Sequence, residues 1–177
     1  MPTDSPRYER QKRLSQIGAA GQERLGSATV AVIGLGALGS VASDLLVRAG
    51  VGGLTLIDRD VVDWSNLGRQ ILFDEEDARR SRPKAEAAAL RLRRINAETA
   101  LRVEPADLAP GNLVRLLQGA GLLLDGTDNF ETRYLLNDFA VREGMPYVYA
   151  GAVGTYGMVG AVVPGGPCLR CTYPEAP

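Results

Sequence analysis

Residues 28 to 58 read "ATVAVIGLGALGSVASDLLVRAGVGGLTLID", two short β-branched segments on either side of an Ala- and Leu-rich segment. The segments at 28–34 and 54–58 have the composition of buried strands. The residues between them have helical spacing and close on a glycine, as helices commonly do. A strand, a helix and a second strand in this order predict a βαβ unit with two parallel strands.

The rest of the chain repeats this alternation. Hydrophobic spacing predicts further helices at 82–96, 111–120 and 131–144, and further strands at 100–105, 121–128 and 146–152. The Gly-rich segment 153–166 carries alternating valines and predicts an antiparallel ribbon. We therefore expect an α/β fold, a Rossmann-like, doubly wound and mainly parallel sheet with N-terminal helices and an antiparallel C-terminal ribbon. Because no repeat or Pro-rich linker interrupts it, residues 1–177 are expected to form a single nucleotide-binding domain.

Bulk composition narrows the possible functions. The chain has 177 residues, a formal net charge of -1 and 45% apolar residues, enough for one domain with a full core. Near-neutral charge argues against nucleic acid as a direct partner, because phosphate binding needs an excess of Lys and Arg. We expect a cytoplasmic protein without a membrane partner, since no signal peptide or apolar span is evident. Histidine is absent, so no imidazole can act as general base.

The segment before the first strand predicts an amphipathic helix. Ser5 can cap this helix, Pro6 suits its first position, and Leu14 and Ile17 can face the core. From its residues alone, the segment indicates no further function.

Three glycines give the first functional signal. Gly34, Gly36 and Gly39 form a G-x-G-x-x-G pattern directly after the first strand, where a tight turn exposes N–H groups to an anion. Asp58, at the end of the second strand, is placed to accept hydrogen bonds from ribose hydroxyls. Together they favour a nucleotide site over a structural turn. An NAD-dependent oxidoreductase stays open at this point, since the same loop serves dinucleotides.

A second polar cluster follows Asp58 closely. A triphosphate needs more donors and cations than a dinucleotide, so the cluster favours a nucleoside triphosphate. Lys84, one of two lysines among 20 basic residues, can add a compact cation at the start of the next helix. A solvated residue in the first turn of that helix is an equally good interpretation of Lys84. The cluster comprises Asp60, Ser65, Asn66, Arg69 and Gln70.

Two further polar residues follow the fourth predicted strand. Asp128 and Asn129 lie just past this strand, at the carboxyl edge where open α/β sheets bind ligands. A carboxylate there can hold Mg²⁺ against phosphate oxygens. The alternative interpretation of Asp128 is a cap for the following helix, and the two roles are compatible.

In this order and spacing, the motifs resemble the ThiF, MoeB and HesA family of E1-like adenylyltransferases. The resemblance covers nearly the whole chain. Each motif is weak alone, but the joint pattern is highly specific. The motifs are "RYERQ" (7–11), "VIGLGALGS" (32–40), "AGVGGLTLIDRDVVDWSNLGRQ" (49–70), "RPKAEAA" (82–88), "DGTDN" (125–129) and "CLRC" (168–171).

The resemblance implies an enzyme that uses MgATP to adenylylate the C-terminal glycine of a ubiquitin-like sulfur-carrier protein ending in Gly-Gly, with release of pyrophosphate. The acyl-adenylate then serves molybdopterin, thiamine or tRNA-thiolation pathways. The glycine loop with Ala37 is expected to bind the nucleotide, Asp58 its ribose, and Asp128 the Mg²⁺. The phosphates are assigned to Asn66, Arg69, Gln70 and Lys84.

The resemblance also implies a homodimer. In this family the N-terminal helix crosses the subunit interface, so Arg10 is expected to reach the triphosphate bound by the neighbouring subunit. A C-terminal carboxylate is already ionised at neutral pH, so catalysis needs alignment and charge neutralisation rather than a base. The absence of histidine is therefore consistent with this chemistry.

The chain departs from the family pattern at several positions. Ala37 and Ser81 stand where the family often has glycine, and a methyl group at Ala37 is tolerable if its φ is negative. Cys168 and Cys171 have the C-x-x-C spacing of half a Zn²⁺ site, but the sequence has no other Cys and no His. A disulfide or two free thiols is an equally good interpretation. We expect that the chain is truncated relative to the family, or that this half of the chemistry is absent.

Two other function classes remain as alternatives. An NAD-dependent Rossmann oxidoreductase would bind NADH rather than ATP with Mg²⁺. A non-catalytic E1-like binding partner would be expected to lose its phosphate-binding basic residues, yet Arg69 and Lys84 are both present. Within the family, an RNA-directed dehydratase is a further alternative, which the C-x-x-C pair and the charge disfavour.

Overall fold

The computed structural model describes residues 5–175 of the chain. Six strands form one sheet in the order β3-β2-β1-β4-β5-β6, in which β1 to β5 are parallel and β6 is antiparallel to β5. The predicted doubly wound sheet with an antiparallel C-terminal ribbon is confirmed. The strands are β1 (Thr29–Ile33), β2 (Gly53–Ile57), β3 (Ala100–Glu104), β4 (Leu122–Asp125), β5 (Tyr147–Val153) and β6 (Tyr156–Val162).

Helices cover both faces of this sheet. Val30 and Val32 of β1 pack in one hydrophobic cluster with α3 and α5, whereas Ala31 and Ile33 pack on the opposite face with α6 and α7. This alternation follows from the two-residue period of a strand. The helices are α1 (Glu9–Lys12), α2 (Gly18–Ser27), α3 (Ala37–Ala49), α4 (Glu75–Arg79), α5 (Lys84–Ile95), α6 (Leu113–Leu117), α7 (Phe130–Glu143) and α8 (Leu169–Thr172). None of those between residues 5 and 175 has the length and apolarity to cross a membrane.

The N-terminal segment differs from the single amphipathic helix that the sequence predicts. Pro6–Tyr8 form a 3-10 turn before α1, and Ser5 precedes it without a side-chain capping bond. Leu14, predicted to face the core, is 54% exposed because α1 and α2 are separate helices with turns between them. The segment is anchored instead by Tyr8, whose buried hydroxyl accepts a hydrogen bond of 2.9 Å from the Nδ2 of Asn96.

Ser81 occupies a position that favours glycine. It follows the last turn of α4, where its N–H group bonds to the carbonyl of Ala78 at 3.1 Å and the N–H of Arg82 bonds to the carbonyl of Asp77 at 3.0 Å. This pattern is the Schellman motif, which places the residue after the helix cap in the left-handed region. Ser81 has φ of 44° and is the one non-glycine residue among 5–175 with positive φ. Ala37 therefore has a negative φ, as its predicted tolerance requires.

Candidate active site

A cleft of about 800 Å³ opens at the carboxyl ends of the parallel strands. It lies beside the adjacent strands β1 and β4, whose connections run through α3 on one face of the sheet and α7 on the other. Ligands bind at such a switch point in open α/β sheets. Eleven of the predicted site residues line it, namely Gly34, Gly36, Ala37, Asp58, Asp60, Asn66, Arg69, Gln70, Lys84, Asp128 and Asn129.

The glycine turn joins β1 to the N-terminus of α3. Gly34 has φ of +80°, and its N–H group bonds to the carbonyl of Ile57 at 2.9 Å. Gly39 does not line the cleft, because it lies in the first turn of α3 against the backbone of Gly34. A Cβ atom at Gly39 would lie 1.8 Å from the carbonyl oxygen of Gly34, and one at Gly126 would lie 3.0 Å from the same atom. We call the close approach of Gly34, Gly39 and Gly126 the glycine contact. It allows the main chains of β1, α3 and the end of β4 to touch directly.

This contact predicts a large loss of stability on replacing Gly39 by alanine. Alanine in a helix interior is normally more stable than glycine by roughly 0.5–1 kcal/mol. At position 39 the added methyl would instead displace backbone, and overpacking of this kind costs about 1–3 kcal/mol or more. Urea unfolding would measure the change. Gly26 in α2 is the matched control, since a Cβ there meets nothing within 4 Å, so Gly26→Ala should be stabilising. Equal stability for both variants would contradict the contact.

Asp58 is buried and fixed by backbone donors. Its Oδ2 accepts a hydrogen bond of 2.6 Å from the N–H of Leu35, and its Oδ1 accepts one of 2.8 Å from the N–H of Asp60. Burial raises the pKa of Asp58 above its ordinary value, and the two N–H groups and the charge of Lys84 oppose this rise. The carboxylate is thus held rigidly at the end of β2, with lone pairs left to accept from a ligand.

Lys84 is not the solvated helix residue that one interpretation of the sequence allows. It is 6% exposed, and its Nζ lies 2.9 Å from the Oδ2 of Asp60. The backbone reinforces this pair, since the N–H of Lys84 donates to the carbonyl of Asp60 at 2.9 Å. The start of α5 is therefore fastened to the loop after β2, and a buried ammonium group lines the cleft.

Most residues of the polar cluster after β2 line the cleft, and Ser65 does not. Gln70 is 3% exposed, lines the cleft beside Gly36, and its buried Oε1 has no hydrogen-bond partner among the described residues. Asn66 uses its Oδ1 to accept from the N–H of Asp63, and its amide group lines the cleft. Arg69 is exposed and donates to the carbonyl of Ser65 at 2.9 Å. Ser65 itself does not line the cleft, because its hydroxyl donates to Asp63.

Asp128 is exposed at the cleft and does not cap α7. The cap is Asn129, whose Oδ1 accepts a hydrogen bond of 2.8 Å from the N–H of Thr132. The capping interpretation of Asp128 is therefore wrong, and its carboxylate has no hydrogen bond to another described residue. One carboxylate beside phosphate oxygens and water is an ordinary set of ligands for Mg²⁺, so the residues fit that metal.

Arg10 does not reach the cleft of its own chain. Its neighbour Gln11 donates a hydrogen bond of 2.7 Å to the carbonyl of Ala49, at the C-terminal end of α3. The cleft lies at the other end of α3, and a helix of 13 residues is about 20 Å long. Arg10 is exposed and follows Glu9 in α1, near the end of α3 that lies away from the cleft.

The two cysteines form only half of a zinc site within residues 5–175. The sulfur atoms of Cys168 and Cys171 are 3.8 Å apart, and no group of three or more possible metal ligands occurs in that part of the chain. Burial acts to raise the pKa of Cys168, but the N–H groups of Cys171 and Arg170 outweigh it and lower the pKa. Because tetrahedral zinc needs four ligands, the described residues do not fit a complete zinc site.

Sequence reasoning missed a buried ion pair beside the cleft. The Nε of Arg133 lies 3.1 Å from the Oδ2 of Asp125, and the two side chains are 5% and 0% exposed. Arg133 lines the cleft, as does Gly126 of the glycine contact. Arg133 and Asp125 are eight residues apart in the sequence, separated by the end of a strand, a loop and the first turn of a helix. No periodicity rule connects residues at this spacing, so the sequence gives no signal for the pair.

Comparison with known proteins identifies relatives of this fold and site. The model of the ThiF family matches residues 8–177. The Sulfur carrier protein ThiS adenylyltransferase of Bacillus subtilis is 45% identical over 172 residues, 97% of this chain and 51% of that protein. The SAMP-activating enzyme E1 of Haloferax volcanii is 40% identical over 175 residues, 99% of this chain and 64% of that protein.

A solved structure also has a similar fold. The crystal structure of E. coli MccB with ATP superposes with a TM-score of 0.84 at 27% identity, covering 97% of this chain and 53% of that one. The chain spans about half the length of the B. subtilis and E. coli proteins that it matches. The match to the family model extends over nearly all of its residues. The chain therefore belongs to the ThiF family.

Proposed function

We propose that this protein uses ATP to adenylylate the C-terminal glycine carboxylate of a ubiquitin-like sulfur-carrier protein ending in Gly-Gly, and releases pyrophosphate. The observation that carries the proposal is the polar cluster beside the ribose acid, where the buried residues Lys84 and Gln70 line the same cleft as the glycine turn. The names of the B. subtilis and H. volcanii relatives support this activity, and the MccB complex supports ATP as the nucleotide.

Each part of the nucleotide has a partner in the cleft. The N–H groups at the start of α3 face the phosphates, as helix N-termini favour anions. Asp58 accepts from the ribose hydroxyls, and Leu108, after β3, offers an apolar wall to the base. The remaining donors, Asn66, Arg69, Gln70 and Lys84, surround the phosphates. A dinucleotide brings less phosphate charge to this second group of donors than a triphosphate does, which disfavours the NAD-dependent alternative.

The reaction needs alignment and charge neutralisation rather than proton transfer. An oxygen of the glycine carboxylate attacks the α-phosphorus, the bond from the α-phosphorus to the bridging oxygen breaks, and pyrophosphate leaves with that electron pair. The carboxylate is ionised at neutral pH, so no base is required. Arg69 and Lys84 supply positive charge to the leaving group. Asp128 would hold Mg²⁺, which when bound neutralises phosphate charge.

The active unit is proposed to be a homodimer. Arg10 lies about one helix length from the cleft of its own chain, on the exposed side of α1. A guanidinium there can act on a triphosphate only if it belongs to a neighbouring subunit. The family resemblance assigns Arg10 that role, and its position agrees with it.

Pyrophosphate exchange tests the proposed function. The complete protein, ATP, Mg²⁺ and labelled pyrophosphate are incubated with and without the ThiS carrier of B. subtilis, and label in ATP is measured. We expect exchange only when the carrier is present, and none with a carrier that lacks its last glycine. Equal exchange without any carrier would contradict the proposal. Binding of NADH but not of ATP would favour the oxidoreductase.

A further inference from the structure

Arg133 is a buried arginine whose guanidinium group is held on most sides. It is 4% exposed, and its Nε pairs with Asp125 at 3.1 Å. Its Nη2 donates to the carbonyls of Thr127 and Ala150, both at 2.8 Å. These bonds come from β4, from the loop after it and from β5, so three parts of the chain fix the plane of the group.

Asp125 neutralises Arg133 and is itself fully satisfied. Its Oδ1 accepts from the N–H and the hydroxyl of Thr127, at 2.7 and 2.6 Å, and its Oδ2 accepts from the hydroxyl of Tyr147 at 2.7 Å. Burial, and then the neighbouring carboxylate, raise the pKa of Tyr147, so this phenol remains a donor. The pair as a whole is neutral, which suits the binding of an uncharged oxygen better than that of a phosphate.

The remaining nitrogen of Arg133 lies beside Gly151, a residue of the cleft wall. Nη1 donates to no carbonyl or carboxylate among residues 5–175, although the side chain is almost wholly buried. It lies 3.2 Å from the position that a Cβ atom on Gly151 would occupy, and both residues line the cleft. Two N–H donors of fixed direction are thus available to a ligand that passes Gly151.

This part of the cleft is lined differently from the nucleotide part. Most residues for the ribose and phosphates follow β1 and β2 or begin α5, with Asp128 after β4 as the exception, whereas Arg133 and Gly151 belong to α7 and β5. Part of the wall near Arg133 is main chain, since Gly126, Gly151 and Gly157 line it, although the side chain of Met158 lies 3.4 Å from the position of a Cβ atom on Gly151. Such a wall accepts an extended main chain whose own residues lack side chains, and it offers that chain one neutral cluster of donors.

We propose that Nη1 of Arg133 donates to a main-chain carbonyl of the entering Gly-Gly segment, and so sets the last glycine carboxylate against the α-phosphate. This inference rests on the proposed function and names the residue that positions its second substrate. The guanidinium acts as a fixed donor rather than as a charge on the phosphates.

Gly151→Ala tests this role without replacing either residue of the ion pair. The new methyl would lie 3.2 Å from Nη1, so the guanidinium group must move by a few tenths of an ångström and Nη1 is crowded. The φ of Gly151 is not positive, so alanine is allowed there. Pyrophosphate exchange is measured with the complete protein against the concentrations of ATP and of B. subtilis ThiS. We expect the KM for ThiS to rise at least tenfold and the KM for ATP to stay within twofold. Gly111→Ala, outside the cleft and with nothing within 4 Å of its Cβ, should change neither.

Arg133→Lys gives the second variant. It keeps a cation beside Asp125 but removes the fork that carries Nη1. We expect the same selective rise in KM for ThiS, with urea unfolding used to confirm that the variant is folded. Suppose that wild type catalyses exchange, but that Gly151→Ala leaves both KM values unchanged or raises the KM for ATP as much as the KM for ThiS. The role of Arg133 is then overturned, and the proposed function stands. If wild type shows no carrier-dependent exchange, the proposed function fails and this inference falls with it.

Discussion

Asp128→Ala is expected to reduce carrier-dependent pyrophosphate exchange at least about a hundredfold, the range seen when a charge-stabilising group is removed from an active site. The free energy of unfolding should stay within about 0.5 kcal/mol of wild type, as for other exposed residues. The reason is structural, because Asp128 is exposed at the cleft and makes no hydrogen bond to another residue of 5–175. Exchange assays and urea unfolding of the same preparation measure both quantities.

Asn129→Ala is the matched control for this prediction. Asn129 caps α7 through the N–H of Thr132, so its loss should cost about 1 kcal/mol of stability. Raising the Mg²⁺ concentration should increase the exchange rate of wild type until its metal site is saturated. The same addition should restore little activity to Asp128→Ala. A loss of stability in Asp128→Ala as large as that in Asn129→Ala would show that Asp128 has a structural role after all.

Arg10→Ala is expected to lower exchange by about a thousandfold, the order of effect that an arginine supplied in trans has in phosphoryl transfer. The side chain is exposed on α1, about 20 Å from the cleft of its own chain, so its removal should leave folding unchanged. Lys12→Ala, in the same short helix, is the matched control. It removes a neighbouring positive charge and should retain activity.

Mixing the two inactive variants tests whether Arg10 acts across an interface. Random subunit exchange between Arg10→Ala and Asp128→Ala homodimers makes about half of the dimers mixed, each with one intact site. Activity should therefore recover to about a quarter of wild type. If mass spectrometry confirms mixed dimers but activity stays at the level of the variants, Arg10 acts within its own chain or not at all.

The fold was predictable because its signals are local. The βαβ unit at 28–58, the later alternation and the Gly-rich ribbon all appear in the sheet order of the structure. The N-terminal helix was predicted wrongly, because tertiary bonds decide that segment. Tyr8 bonds to Asn96, which is 88 positions away, and no pattern within the segment indicates such a partner.

Where backbone position decides the matter, the sequence predicts correctly which residues line the cleft. Asp58, Lys84 and Asp128 follow strand ends or begin a helix, and the sheet brings them to one cleft. Two aspects were beyond the sequence. Whether Asp128 or Asn129 caps α7 depends on the residue at which the helix begins, and whether Lys84 is buried depends on its pairing with Asp60. Arg133 was missed because its role comes from a fixed guanidinium plane rather than from a motif.

The glycine contact has a consequence for suppressor genetics. A side chain at Gly39 would strike the carbonyl of Gly34, and a backbone atom cannot be removed by mutating another residue. At Gly160 a Cβ atom would instead lie 2.3 Å from the ring of Tyr149, which a smaller residue at 149 could vacate. Loss of function at Gly160 should thus yield second-site revertants at Tyr149. Substitutions at Gly39 should revert only at codon 39. Second-site revertants therefore distinguish a glycine packed against a side chain from a glycine packed against backbone.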